Sequence, residues 1–498
     1  MNRPSVSPAA PRPQAALQAV AGYLPGVEAG DVAWETREFS AHGQRLAVLL
    51  PRLTPAQLDR LAATVGAAQR RLAALPVMDI VDAFDRAIAR MLDPADPARQ
   101  EIDRLLPIVS GFDPEMTRLG INTSLKAFRR PQLLRFLVED FGDPGLLDDF
   151  RPRANGGWTR ACGPGVLGHV WAGNVPGLPL WSLMCGLLVK AGNIGKVSSD
   201  EPLFAGWFAR VLAEVEPRLA DACAIVWWPG GDTAMEQALC RHADVLKVYG
   251  GETAVAAWQR QLPASKRLLA HGHKLSAGLV SASALDTRQA QLTARLAAHD
   301  MMRWDQQGCY SPQHFYVERG ARVSPREFAR QLAGELGALR HSFPRRALSL
   351  EESAAVAAWR QALSLAQLRG EPVELMGAPD SPWSVAYLDA PQDLQPGALN
   401  RTACVVALDR LDDALPRLAA QRAFLQTVGL AVSPEELFRL APLLAQAGAT
   451  RICALGAMAT PAPGWHHDGR FSLLDLVRMV DIDASAEQAA ESLASYRD

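Results

Sequence analysis

One cysteine, Cys309, stands in the polar turn Asp305-Gln306-Gln307-Gly308-Cys309-Tyr310-Ser311-Pro312-Gln313, just ahead of the apolar run Phe315-Tyr316-Val317. A structural cysteine behaves as a small apolar side chain and hides in a hydrophobic run. A nucleophilic one needs backbone donors and partial access so that its thiolate can form. Taken alone, the turn is compatible with either role, and segments upstream carry the decision.

Three of those segments are loops of unusual composition. Ala172-Gly173-Asn174-Val175-Pro176-Gly177 fixes a side-chain amide among glycines and prolines; Asn174 is either an oxyanion donor or an amide that satisfies its own turn. Lys196-Val197-Ser198-Ser199-Asp200-Glu201-Pro202 sets a cation directly after a strand with hydroxyls behind it. Lys196 is either a ribose or phosphate ligand or a solvated surface lysine. Tyr249-Gly250-Gly251-Glu252-Thr253 runs straight into a helix, as a pyrophosphate cradle at a helix N-terminus or as a plain tight turn.

Other patterns point away from other chemistries. Gly163-Pro164-Gly165-Val166-Leu167-Gly168 matches GxGxxG but precedes its strand, and Gly195-Lys196 is followed by Val197 where a phosphate loop needs Ser or Thr. His-Glu-x-x-His and Gly-x-Ser-x-Gly are both absent, so metal-assisted and serine hydrolysis recede. The seven cysteines (162, 185, 223, 240, 309, 404, 453) are scattered and form no Cys-x-x-Cys pair. That spacing argues against a disulfide framework and a zinc site, and fits a reducing cytoplasm.

The elements that position these loops follow from composition and punctuation. The chain has 498 residues, 49% hydrophobic and 21% charged, with a net charge of -2, which describes a globular chain of about three domains without a basic field for nucleic acid. Residues 1–25 read as a loose leader lacking a secretory apolar core. The apolar stretch 166–197 is interrupted by Asn174, Pro176, Pro179, Lys190 and Asn193, so it reads as strand, loop and helix rather than a membrane span.

Thr54-Pro55 opens a helix with Leu58, Leu61, Val65, Ala68 and Leu72 at helical spacing, and the amino-terminal third is expected to be mostly helical. Strands are expected at 166–171, 193–198, 224–228 and 244–249. Helices at 180–191, 204–215 and 253–262, with a further one capped by Asp232, alternate with them. That alternation predicts a parallel sheet covered on both faces, with its ligands at the carboxyl ends of the strands. A second unit begins after Leu275, with capping-box helix starts at Ser324/Glu327 and Ser433/Glu436.

In order, Asn174, Lys196 with its serines, Pro229-Gly230-Gly231 ahead of a helix, Tyr249-Gly250-Gly251-Glu252 and Cys309 resemble the aldehyde dehydrogenase superfamily. More narrowly, His169-Val170-Trp171-Ala172-Gly173-Asn174-Val175-Pro176-Gly177, Lys196-Val197-Ser198-Ser199, the Cys309 turn and Trp465-His466-His467-Asp468-Gly469 resemble the LuxC-type acyl-CoA (fatty acid) reductases. The resemblance spans roughly residues 150 to 485. It implies an α/β fold with a Rossmann-type parallel-sheet cofactor domain within 26–275, after a helical amino-terminal region. It further implies a second α/β catalytic domain over 276–465 and a return segment over 466–498 that serves oligomerisation.

Carried over by position, the resemblance makes Cys309 the nucleophile and Asn174 the oxyanion donor. Lys196, with Ser198 and Ser199, lies at the adenosine ribose, and Gly230, Gly250, Gly251 and Glu252 lie beside the cofactor phosphates. Free-aldehyde oxidisers of the superfamily carry a water-activating Glu in a Glu-Leu-Gly-Gly-Lys segment. Here the matching stretch is Ala270-His271-Gly272-His273-Lys274, so an acyl-cysteine is expected to persist until hydride or a thiol takes it. Relatives preferring NAD place a Glu three residues after the lysine. Ser199 stands there, which predicts NADPH.

The leading expectation is NADPH-dependent reduction of a fatty acyl thioester, on CoA or on a protein, to the aldehyde. An acyltransferase or acyl-protein synthetase is implied as the supplying partner, and a homo-oligomer as the assembly. The alternatives are NAD(P)-dependent oxidation of free aldehydes and a non-catalytic acyl-binding or assembly subunit. His467 and Asp468 form either a proton-handling pair or a hydrogen-bonded turn, and the tryptophans Trp171, Trp181, Trp227 and Trp228 either line an acyl tunnel or fill the core.

Overall fold

Strand and helix alternate through residues 166–271 and build a five-stranded parallel sheet. Its order is Arg267–His271, Val245–Tyr249, Val166–Val170, Gly192–Lys196 and Cys223–Val226. The chain leaves Val166–Val170 toward one edge and later returns to its other side. The topological switch point therefore lies between Val166–Val170 and Val245–Tyr249, where parallel sheets open a ligand crevice. The helices Leu178–Leu188, Phe204–Val215, Thr233–His242 and Glu252–Gln261 connect the strands, within three residues of the expected positions. The computed structural model describes residues 17–495.

A seven-stranded sheet follows after a short connection from His271 to Leu275. Its order is Val373–Met376, Ser384–Leu388, Thr402–Leu408, Pro312–Glu318, Leu275–Val280, Leu425–Ala431 and Arg451–Ala454, parallel except for the first, an antiparallel edge. Phe315 and Val317 face one hydrophobic core and Tyr316 the other, which is why this central strand is a continuous apolar run rather than an alternating one. The expected caps form, with reciprocal Ser324/Glu327 and Ser433/Glu436 boxes, while Asp232 accepts from the Met235 amide.

The amino-terminal third is mostly helical, as expected, and adds strands that the sequence did not announce. It holds the five helices Pro55–Leu72, Val77–Leu92, Pro97–Ser110, Pro114–Lys126 and Arg130–Phe141, but ahead of them lies a three-stranded sheet. Ala33–Ala41 and Gln44–Arg52 form a hairpin whose two-residue turn, His42 and Gly43, has positive φ at both positions, as the right-handed strand twist favours. Leu46, Val48 and Leu50 alternate inward. Within the loose leader expected over 1–25, Leu17–Val20 is a strand that adds in parallel to Gln44–Arg52. Its first 16 residues lie outside the described residues.

Near the end of the chain, Arg478–Ile482 pairs antiparallel with Trp158–Cys162, which also pairs with Arg151–Pro152. Among the described residues no helix is long and apolar enough to cross a membrane.

Candidate active site

The Cys309 turn is held by residues far away in sequence. Trp304, Asp305 and Gln306 are three successive non-glycine residues with positive φ, and they face a second such run, Leu399, Asn400 and Arg401. Left-handed backbone at non-glycine residues is costly and persists only where the surroundings over-determine it. The locks are visible. Asp305 and Arg401 form a buried ion pair at 2.7 Å, and the Gln306 side chain donates to the Pro312 and Thr402 carbonyls while accepting from the Thr402 amide. Gln307 donates to the Asn400 side chain, and Ser276 Oγ donates to the Cys309 carbonyl.

Cys309 opens onto a cavity of about 600 Å³ lined from both sheets. Asn174, Gly250, Gly251, His271, His467 and Asp468 share its wall with Cys309. Asn174 and Cys309 are thus brought together, and the Asn174 amide donates to the Gln307 carbonyl at 2.6 Å, two residues before the sulfur. Phe128, Val175, Leu178 and Trp181 form an apolar stretch of the same cavity. Trp181 therefore lines it, whereas Trp171, Trp227 and Trp228 are buried core.

The other expected residues lie apart from this cavity, at the carboxyl ends of the neighbouring strands. Lys196 ends its strand with the ammonium 5.6 Å above the Trp228 ring; burial lowers its pKa and the charge of Glu236 opposes that shift. Ser198 Oγ accepts from the Asp200 amide and Ser199 Oγ from Trp227 Nε1. Gly230 is exposed, and Glu252 begins the helix behind Gly250 and Gly251.

The surroundings of the Cys309 sulfur oppose its ionisation. Burial pushes the Cys309 thiol up to about 11 and the charge of Asp468 adds to it; the Gln426 side chain and the backbone amides of Cys309 and Tyr310 pull only part of the way back.

Nor are His467 and Asp468 partners. Asp468 Oδ2 accepts from His271 Nδ1 at 2.8 Å and Oδ1 accepts from Gln426 Nε2 at 2.6 Å, while His467 Nε2 stays 3.9 Å from the carboxylate. The rings of Tyr249, His271, His467 and Trp465 form a continuous stack with centroids 4.5–4.8 Å apart. In the sequence the His271 segment stands out only for the carboxylate it lacks. The signal available was a histidine ending a strand of a parallel sheet, where ligands bind. Gln426 carried no local signal.

Residues 72–479 match the family described as acyl-CoA reductase (LuxC). Relatives include the long-chain acyl-protein thioester reductases of Photorhabdus luminescens, 27% identical over 390 residues, and of Vibrio harveyi, 24% identical over 392. Each alignment covers 77% of both chains. In architecture the chain is similar to an NAD-dependent benzaldehyde dehydrogenase from Corynebacterium glutamicum (TM-score 0.70, 16% identity, 93% and 98% of the two chains). It is also similar to aldehyde dehydrogenase 21 from Physcomitrella patens (TM-score 0.73, 13% identity, 95% and 99%). The cysteine turn, the amide beside it and the two-sheet cavity thus belong to an aldehyde dehydrogenase fold, and the chain is a member of the acyl-CoA reductase (LuxC) family, an oxidoreductase of acyl thioesters.

Proposed function

We propose that this protein reduces a fatty acyl thioester, carried by CoA or by a protein, to the fatty aldehyde through an acyl-Cys309 intermediate, with NADPH as reductant. One observation carries the reading. Asp468 is the single carboxylate on the described wall of the Cys309 cavity, and both its oxygens are already engaged by His271 and Gln426. An acyl-cysteine formed there meets no free carboxylate, the base by which the free-aldehyde oxidisers of the superfamily activate water. The apolar stretch at Phe128, Val175, Leu178 and Trp181 suits a fatty chain.

Cys309 attacks the thioester carbonyl, the Asn174 amide and the Cys309 backbone N–H hold the oxyanion, and the donor thiol leaves. A reduced nicotinamide, when bound, supplies the hydride. The chain's own residues fit such a cofactor. A Cβ built on Gly230, Gly231 or Gly251 would meet nothing within 4 Å, leaving an open edge for a pyrophosphate at the start of Glu252–Gln261. Lys196 would supply a cation at the end of its strand, and Ser199 stands where a glutamate would repel a 2′-phosphate. Seven free thiols suit a reducing cytoplasm. An acyltransferase or acyl-protein synthetase would load the donor, and 466–498 would serve a homo-oligomer.

The test is NADPH consumption with acyl-CoA esters of increasing chain length, with the aldehyde trapped and Cys309→Ala in parallel. Chain-length-dependent consumption that vanishes in the variant supports the proposal. Consumption that survives the variant, or NADP reduction with free aldehydes alone, overturns it.

A further inference from the structure

Cys309 presents a problem that the thioester reading leaves open. Its thiol is pushed up to about 11, so at neutral pH it is protonated, and a protonated thiol does not acylate. Some group must take that proton, and the departing thiolate must get one back.

The cavity offers one group built for this. His271 ends the strand Arg267–His271, its ring clamped between Tyr249 (centroids 4.6 Å, planes 11° apart) and His467 (4.5 Å, 20°). Asp468 holds Nδ1 at 2.8 Å and thereby selects the Nδ1–H tautomer, leaving the Nε2 lone pair free; Nε2 has no hydrogen-bond partner among the described residues. Gln426 fixes the second oxygen of Asp468 and also lies beside the Cys309 sulfur, so nucleophile, amide, carboxylate and imidazole form one connected set. Asp468 holds this place at φ +55, a left-handed conformation that favours glycine and is costly for an aspartate.

His271, His467 and Asp468 are close enough to bracket a cation, within 4.8 Å of one another. Stacking speaks against that use, because the in-plane lone pairs of nearly parallel rings do not converge on one ion.

We propose that His271, oriented by Asp468, accepts the Cys309 thiol proton during acylation and delivers it to the departing thiol. This rests on the thioester reading. In the step, the Cys309 S–H bond breaks and its proton moves to His271 Nε2. A bond forms between the sulfur and the acyl carbon, the bond to the donor sulfur breaks, and that thiolate takes the proton from His271. Cys309–SH plus acyl thioester gives acyl-Cys309 plus free thiol, with no net redox change. Asp468 and Gln426 are positioning residues.

Groups facing His271 set its titration. Burial lowers its pKa, the Asp468 hydrogen bond opposes this, and the Lys247 and Arg470 charges lower it further, with Tyr249 and His467 stacked against it.

The experiment is a rapid-mix measurement of thiol release from a long-chain acyl-CoA without nicotinamide, over pH roughly 6 to 9, for wild type, His271→Gln and Asp468→Asn. It is paired with iodoacetamide alkylation of Cys309 over the same range. Wild type should show a burst and an alkylation rate that both level off above one ionisation below the usual imidazole value. His271→Gln should lose about a hundredfold in the burst, and both its rates should climb without levelling toward the thiol's own ionisation. Asp468→Asn should slow the burst and move the inflection to lower pH, since the carboxylate no longer raises the imidazole's pKa. Wild-type profiles in His271→Gln overturn the dyad. Failure of wild-type Cys309 to become acylated sinks the thioester reading instead, and the alkylation profiles then still decide whether His271 serves the thiol.

Discussion

Arg401→Met removes one half of the buried lock behind the nucleophile. Arg401 and Asp305 are each about 1% exposed and meet at 2.7 Å, and Asp305 also accepts from the Arg346 amide. Removing one partner of a buried pair leaves an uncompensated charge and typically costs about 3–5 kcal/mol. The loss falls on a segment that already stores strain at Trp304, Asp305 and Gln306, so it should appear as local opening before global unfolding. At about 1.4 kcal/mol per tenfold, 3 kcal/mol corresponds to roughly a hundredfold greater opening.

Native-state amide hydrogen exchange over residues 304–311 reads this directly. Protection in Arg401→Met should fall by about two powers of ten there, while the strands of the five-stranded sheet keep theirs. Acylation of Cys309 should fall about a hundredfold, because displacement of a reacting atom by an ångström has that cost. Asp305→Asn should behave similarly, and Asp305→Asn/Arg401→Met should cost less than the two losses added, since no lone charge is left behind. Unchanged protection in Arg401→Met, or strict additivity in the double variant, would show that the ion pair does not hold the turn.

Three further outcomes are expected. Asn174→Ala should lower turnover about a hundredfold, the usual worth of one oxyanion donor; an unchanged rate removes Asn174 from the reaction. Ser199→Glu should shift the ratio of kcat/KM for NADPH over NADH toward NADH by about tenfold or more, through repulsion of the 2′-phosphate, and a constant ratio refutes the cofactor argument. His314 is buried with neither ring nitrogen hydrogen-bonded, and burial lowers its pKa to about 4. A depressed folded pKa gives stability that is present above the unfolded value near 6.5 and lost as pH falls toward 4. His314→Leu should therefore stabilise the protein increasingly across that window, by about 1.4 kcal/mol per pH unit in urea melts; a pH-independent effect contradicts the burial argument.

Local features were legible in the sequence where local rules decide them. Thr54, Asp232, Ser324 and Ser433 cap helices as their spacing indicates, and the loops after Val170, Lys196 and Tyr249 sit at strand ends because strand and helix alternate. The hairpin before Pro55 was missed because its turn is His42-Gly43, not the Asn-Gly or Asp-Gly that marks such turns. What escaped altogether depends on long-range pairing. Asp305 reads as a turn residue until Arg401 meets it, and Asp468 beside His467 reads as their pair until the fold brings His271 closer.

That last substitution of partners gives the carboxyl-terminal segment a second task. Arg267 begins the strand that ends at His271, and its guanidinium donates to the carbonyls of Asp475, Leu476 and Val477. The strand and the returning chain are therefore fastened at one end by Arg267 and at the other by His271 and Asp468. Gln426 ties the same carboxylate to the sheet that carries Cys309. A segment expected to serve assembly thus also brings in the one carboxylate on the described wall of the Cys309 cavity, and both its oxygens are engaged by His271 and Gln426. The consequence is chemical. A carboxylate free of partners could itself take a proton from water, whereas this one is bound to imidazole and amide and, in the proposed cycle, holds the proton carrier in place.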